Sequence, residues 1–125
     1  MERERELRAI GRKLLDKHGL HDWHVERQKE RRKRALTPDD IWGYRDPNRK
    51  QIVVYPGTDS NFRLVVLHQI AHVLSGDDGH TMRWINKAGE IGLPHTYVMA
   101  YWPEAQIYEE ADEASPFYRR DDRSK

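Results

Sequence analysis

The stretch LVVLHQIAHVL, Leu64 to Leu74, constrains the fold of this chain more than any other. Its aliphatic residues demand burial, yet His68 and His72 sit among them, four residues apart, with Gln69 directly after the first. Residues four apart project from one side of a helix. At about 100° per residue, Phe62, Val66, Ile70 and Val73 fall on the opposite side and mark the face that enters the core. Uncompensated imidazoles are costly to bury in such a helix, so the fold must bring partners to them.

Little apolar material is available elsewhere. Of 125 residues, 37% are hydrophobic and 34% charged, and the mean hydropathy is −1.00. That supports one domain with a modest core and a very polar surface. In a small core a bound metal matters more, because its ligation free energy adds to folding free energy. The chain has no cysteine, which removes disulfides, thiolate metal sites and cysteine nucleophiles together. Any metal would have to sit on histidine, carboxylate and water. The opening MERERELRAI is charged from its second residue, unlike a signal peptide, and no apolar run approaches the roughly 20 residues of a bilayer span. The expectation is a soluble, cytoplasmic chain with no membrane partner.

Around the apolar helix the pattern predicts an α+β domain. Glu2 to His18 places Leu7, Ile10, Leu14 and Leu15 at helical spacing, and Gly19 follows as a C-terminal cap. DWHVER (Asp22 to Arg27) alternates weakly, as a short strand would. DIWGYRD (Asp40 to Asp46) and KQIVVYP (Lys50 to Pro56) flank the polar turn RDPNRK and read as an antiparallel hairpin. Asp59 or Ser60 can cap the apolar helix, which Gly76 stops. A second helix runs from near His80 to Gly92, with Trp84, Ile85, Ala88 and Ile91 at helical spacing. HTYVMAYW (His95 to Trp102) is open between a short strand and an irregular segment. The domain is expected to span 1–103, followed by an acidic, mobile tail over 104–125.

His68 and His72 can offer their rings to a single ion. Zinc takes a third protein ligand and, in a catalytic site, keeps the fourth position for water or substrate. SGDDGH supplies that third candidate: Gly76 ends the helix and His80 returns toward the pair. Asp77 and Asp78 are alternative ligands or partners of the ring nitrogens, ranked below His80. Three imidazoles with an open position favour zinc over other divalent ions. His18, His21 and His24, in HGLHDWH, match no zinc spacing and are expected at the surface.

LHQIAHVLSGDDGHTMRW resembles the active-site stretch of SprT-like zinc metallopeptidases, including their short phage-type members. The family pattern is His-Glu-x-x-His on one helix, then Gly-His and an aromatic residue one turn later. It falls here on His68, Gln69, His72, Gly79-His80 and Trp84. LLDKHGLHDWHV resembles the family's first helix and following strand, and RKQIVVY the strand before the active-site helix. The resemblance covers roughly residues 7 to 93. It implies a zincin-like minimal metallopeptidase domain, in which a small antiparallel sheet packs with an N-terminal helix and an active-site helix. It further implies Zn2+ on His68, His72 and His80 and hydrolysis of peptide bonds in protein substrates, DNA-associated proteins among them. Two features depart from the family: its catalytic glutamate is Gln69, and the C-terminal cysteine zinc ribbon of some members is absent.

In the glutamate form zinc acidifies water and polarises the scissile carbonyl, while the carboxylate takes the water's proton and passes it to the departing amine. Gln69 can hydrogen-bond that water but cannot accept its proton near neutral pH. General acid–base catalysis is worth about 10²–10⁴-fold. This chain is therefore expected to bind zinc and to turn over slowly or not at all. Deliberate inactivation would introduce such an exchange, and the otherwise intact motif favours it; a native pseudo-enzyme that holds peptide without cutting it is the alternative. The alternative function is accordingly a non-catalytic zinc module that binds peptide or nucleic acid.

Gln51 to Tyr55 is the candidate peptide-receiving strand. As a sheet edge above the cleft, Ile52, Val53, Val54 and Tyr55 could pair with an extended peptide. His95, Tyr97 or Tyr101 could stabilise an oxyanion. The formal net charge is +1, but ERQKERRKRA (Glu26 to Ala35) is strongly basic. A run of this kind is often a solvated surface. Its alternative use is contact with DNA phosphates through Arg27 to Arg34, with Arg31, Arg32, Lys33 and Arg34 at the centre. Trp23 and Trp84 are expected as core anchors, Trp84 holding the helix that follows His80.

Overall fold

A computed structural model describes residues 2–27, 42–55 and 61–114. Among these residues the chain is a mixed α+β arrangement of five helices and one three-stranded sheet. In chain order the elements are α1 (Glu2–Lys17), β1 (His24–Arg27), β2 (Gly43–Asp46), β3 (Gln51–Val54), α2 (Phe62–Ser75), α3 (Met82–Glu90), α4 (His95–Met99) and α5 (Trp102–Ala114).

The hairpin predicted from Asp40 to Pro56 is present as β2 and β3, with Gly43 opposite Val54 and Asp46 opposite Gln51. Its turn is held by Asp46, whose Oδ1 accepts from the amides of Asn48 and Arg49 at 3.1 and 3.3 Å. The sheet order is β1-β3-β2, and β3 also pairs in parallel with β1, His24 opposite Gln51 through Arg27 opposite Val54. The sheet is thus mixed, not purely antiparallel. β3 takes the centre because its apolar run suits a strand enclosed on both faces, whereas HVER and GYRD suit the outer positions. Ile52 and Val54 are fully buried, and Val53 and Tyr55 nearly so. This corrects the expectation that Ile52, Val53, Val54 and Tyr55 form a free edge: the backbone of 51–54 is paired on both sides, and the Tyr55 amide donates to the Trp42 carbonyl at 3.0 Å.

Helix α2 lies between two apolar clusters, which is why it is apolar on nearly every side. Phe62, Val65, Val66 and Ile70 enter the first, with Leu7, Leu14 and Leu15 of α1, Trp23, Val25, Ile52 and Val54. Val73 packs at its margin. The second cluster joins Ala71 to Trp84, Ile85 and Ala88 of α3, and to Leu93, Val98 and Ala105. Arg12 straps α1 to the start of the sheet, donating to the Trp23 carbonyl at 2.6 Å and the Leu20 carbonyl at 3.0 Å. Ile52, with no exposure at the centre of the sheet, should be its most sensitive residue. Ile52→Ala is expected to cost about 2–5 kcal/mol, read as a lowered urea midpoint at unchanged slope.

Two stretches differ from expectation. His95 to Met99 is a short helix, not a strand, begun after Pro94, whose carbonyl accepts from the Val98 amide at 3.0 Å. Residues 104–114, expected as the start of a tail, belong to α5, and Ala105 is buried against α3. The proposed cap residues Asp59 and Ser60, the basic residues Arg31, Arg32, Lys33 and Arg34, and the segment 115–125 lie outside the described residues. No helix among the described residues is long and apolar enough to cross a membrane.

Candidate metal centre

The geometry of the site begins with the end of α2. His68 and His72 lie one turn apart on the helix, on the side that meets Trp84 of α3. Gly76 then adopts a left-handed φ of 75° and returns its amide to the His72 carbonyl at 3.0 Å. A residue with a Cβ disfavours that conformation. The chain reverses there, and the loop that follows is closed by short-range bonds. The Asp77 amide donates to Ser75 Oγ at 3.3 Å, and Thr81 Oγ1 donates to the Asp77 carboxylate at 2.5 Å. Thr81 also caps α3, accepting from the Trp84 amide. The reversal carries His80 back over the first two histidines.

The three rings form a near-regular triangle, with every pair of centroids 5.0 Å apart. Their Nε2 atoms face inward: His68 Nε2 is 3.3 Å from that of His72 and 3.1 Å from that of His80. Nitrogens bound to zinc at 2.0–2.1 Å in a tetrahedron would be separated by about 3.3 Å. Each Nδ1 faces outward to an oxygen. That of His68 lies 2.8 Å from the Tyr97 hydroxyl, that of His72 donates to the Asp77 carbonyl at 2.8 Å, and that of His80 donates to Glu104 at 2.9 Å. A carbonyl and a carboxylate only accept, so neutral His72 and His80 carry hydrogen on Nδ1 and a lone pair on Nε2. Two lone pairs then converge beside His68, which has at most one hydrogen to share between them. An electron-pair acceptor on the triangle's axis fits this donor set. Such outward hydrogen bonds are what orient imidazole ligands.

Trp84 forms the floor. Its ring lies 4.9, 5.4 and 4.6 Å from those of His68, His72 and His80, and its Nε1–H donates to the His68 carbonyl. It is fully buried, as expected of a core anchor, and Trp23 is likewise buried in the first cluster. Tyr101 lies over His80, centroids 4.0 Å apart. With this roof and floor the imidazoles keep only 1–5% exposure. Their face is thus largely enclosed and does not open broadly to a cleft.

His68, His72 and His80 therefore meet as the sequence predicts, and they are a group able to hold a metal ion. Asp77 and Asp78 do not join them: Asp77 serves through its carbonyl, and Asp78 pairs with Arg45 at 2.5 Å. His18, His21 and His24 stand apart, and burial holds the His18 ring below the usual imidazole range. Tyr97, considered for an oxyanion, instead touches the outer nitrogen of His68, and His95 is exposed at the start of α4. Gln69 is buried, and its Oε1 accepts from Arg45 Nη1 at 3.2 Å. Sequence reasoning missed Arg45 and Glu104, since neither stands at any fixed spacing from the histidines. No family model, curated protein or solved structure matches the chain.

Proposed function

We propose that this chain has the architecture of a SprT-like, zincin-type zinc peptidase, with an amide where the general base would stand. The observation that carries the reading is the convergence of three Nε2 atoms, each ring anchored through Nδ1. Gln69 directly follows the first ligand. Zinc, when bound, supplies a Lewis acid that polarises a carbonyl and acidifies water. His68, His72 and His80 hold it, and Tyr97, the Asp77 carbonyl and Glu104 keep the rings aligned.

The remaining chemistry depends on Gln69. Because its Oε1 is engaged by Arg45, the side chain presents its amide hydrogens to anything else nearby. It can orient an acceptor but cannot take up a proton. The substrate class is a protein segment in extended form, with DNA-associated proteins included by resemblance. With β3 enclosed, the strand proposed to receive it is β2, paired on one side among the described residues. β2 also carries Arg45, next to Gln69. The proposed DNA contact at Arg31, Arg32, Lys33 and Arg34 rests on the sequence.

A second reading, the non-catalytic zinc module, is favoured by the 1–5% exposure of the three imidazoles, since enclosed zinc sites are usually structural. Incubating the chain and its Gln69→Glu variant with an unfolded protein, with and without chelator, separates the two. Chelator-sensitive cleavage confined to the glutamate form supports the peptidase architecture. Zinc uptake without cleavage by either form supports the module.

A further inference from the structure

Helix α5 reaches back to the third histidine at two adjacent residues. Glu104 Oε2 accepts from the His80 backbone amide at 2.7 Å and from His80 Nδ1 at 2.9 Å. One oxygen thus fixes both the place of the residue and the tautomer of its ring. One turn further along α5, Tyr108 covers Gly79: a Cβ on Gly79 would lie 2.6 Å from the Tyr108 Cζ and overlap its hydroxyl. Between them Ala105, with no exposure, packs in the same cluster as Trp84 and Ala71. Glu104, Ala105 and Tyr108 share one side of the helix. His68 and His72 are placed by the backbone of α2, but His80 sits on a loop. Its position depends on a carboxylate 24 residues later.

We propose that α5 is a working part of the metal centre. Glu104 is the positioning residue of His80, and metal binding at the triad and docking of α5 on residues 79–80 stabilise one another. The inference rests on the reading of the three histidines as a metal site. A carboxylate accepting from Nδ1–H makes Nε2 a better donor to a cation. A cation on Nε2 makes Nδ1–H a stronger, charge-assisted donor to Glu104. Coupling of this kind is reciprocal, so each event tightens the other by the same factor. The Glu104 side chain is 42% exposed, so it can keep water on its other oxygen while it holds His80. The acidic stretch that looks like a solvated tail therefore contains a residue of the site.

The test is a zinc titration of the full chain against a competing chelator, with Glu104→Ala, Glu104→Gln and, as control, the exposed Glu110→Gln. Amide exchange along α5 is followed with and without zinc. Glu104→Ala is expected to weaken zinc binding about 10–100-fold. Glu104→Gln, which keeps an acceptor but no charge, falls between it and wild type, and Glu110→Gln matches wild type. Zinc is expected to slow exchange at residues 105–108 in wild type and not in Glu104→Ala. Wild type that takes up no zinc overturns the metal reading itself. Zinc uptake by wild type with equal affinity in Glu104→Ala overturns the coupling while leaving the site intact. Should the alanine variant fail to fold, the glutamine variant and wild-type exchange decide, and α5 exchange unmoved by zinc overturns the proposal.

Discussion

His80→Ala is expected to abolish the stabilisation of this chain by zinc. At a zinc concentration a hundred times Kd, wild type should gain about 2.7 kcal/mol, a rise in Tm on the order of 10 °C for a domain of this size. The variant keeps His68 and His72 on α2, but two imidazoles do not complete a three-ligand site. Its metal-free form should also be less stable than wild type, because the His80 ring packs at 4.0 Å on Tyr101 and 4.6 Å on Trp84. Truncation of a buried ring leaves a cavity. The two effects separate in calorimetry with and without zinc: the cavity lowers Tm in both conditions, whereas loss of the ligand removes the difference between them. An equal zinc-dependent shift in wild type and variant would remove His80 from the site.

Gln69→Glu is expected to raise chelator-sensitive peptide hydrolysis by about 10²–10⁴-fold, the range of general acid–base catalysis. The exchange preserves shape, and the buried amide already has a cation against it, Arg45, whose side chain is only 13% exposed. A carboxylate at 69 would gain a charge-assisted partner there, so the variant should fold. The same guanidinium limits the gain, because a carboxylate held by arginine is a weaker base. The double variant Gln69→Glu with Arg45→Gln should therefore cut faster than Gln69→Glu alone at neutral pH, provided both bind zinc equally. Hydrolysis equal in the glutamine and glutamate forms would show that residue 69 carries no proton in the reaction.

What the sequence made legible was local. The apolar run of α2 with His68 and His72, the glycine that ends it and the return of His80 all lie within seventeen residues, 64–80, and helical spacing with turn chemistry governs them. The hairpin was equally readable from two β-rich runs around a Pro-Asn turn. Strand order was not, because pairing β1 with β3 joins residues 24 and 51 across the first strand of the hairpin and its turn, and no local pattern encodes it. The orienting partners were hidden for the same reason. Tyr97 meets His68 across 29 residues and Glu104 meets His80 across 24. α5 was misread because its glutamates and alanines suit a solvated segment and a helix alike. Burial of Ala105 and the bond from His80 decide between them, and both depend on tertiary contact.

X-ray absorption at the zinc edge, on the zinc-loaded full chain, tests the central claim most directly. The prediction is one zinc per chain with three imidazole nitrogens at about 2.0–2.1 Å and a fourth oxygen scatterer from water. A shell dominated by oxygen, fewer than three imidazoles, or a chain that retains no zinc would contradict it.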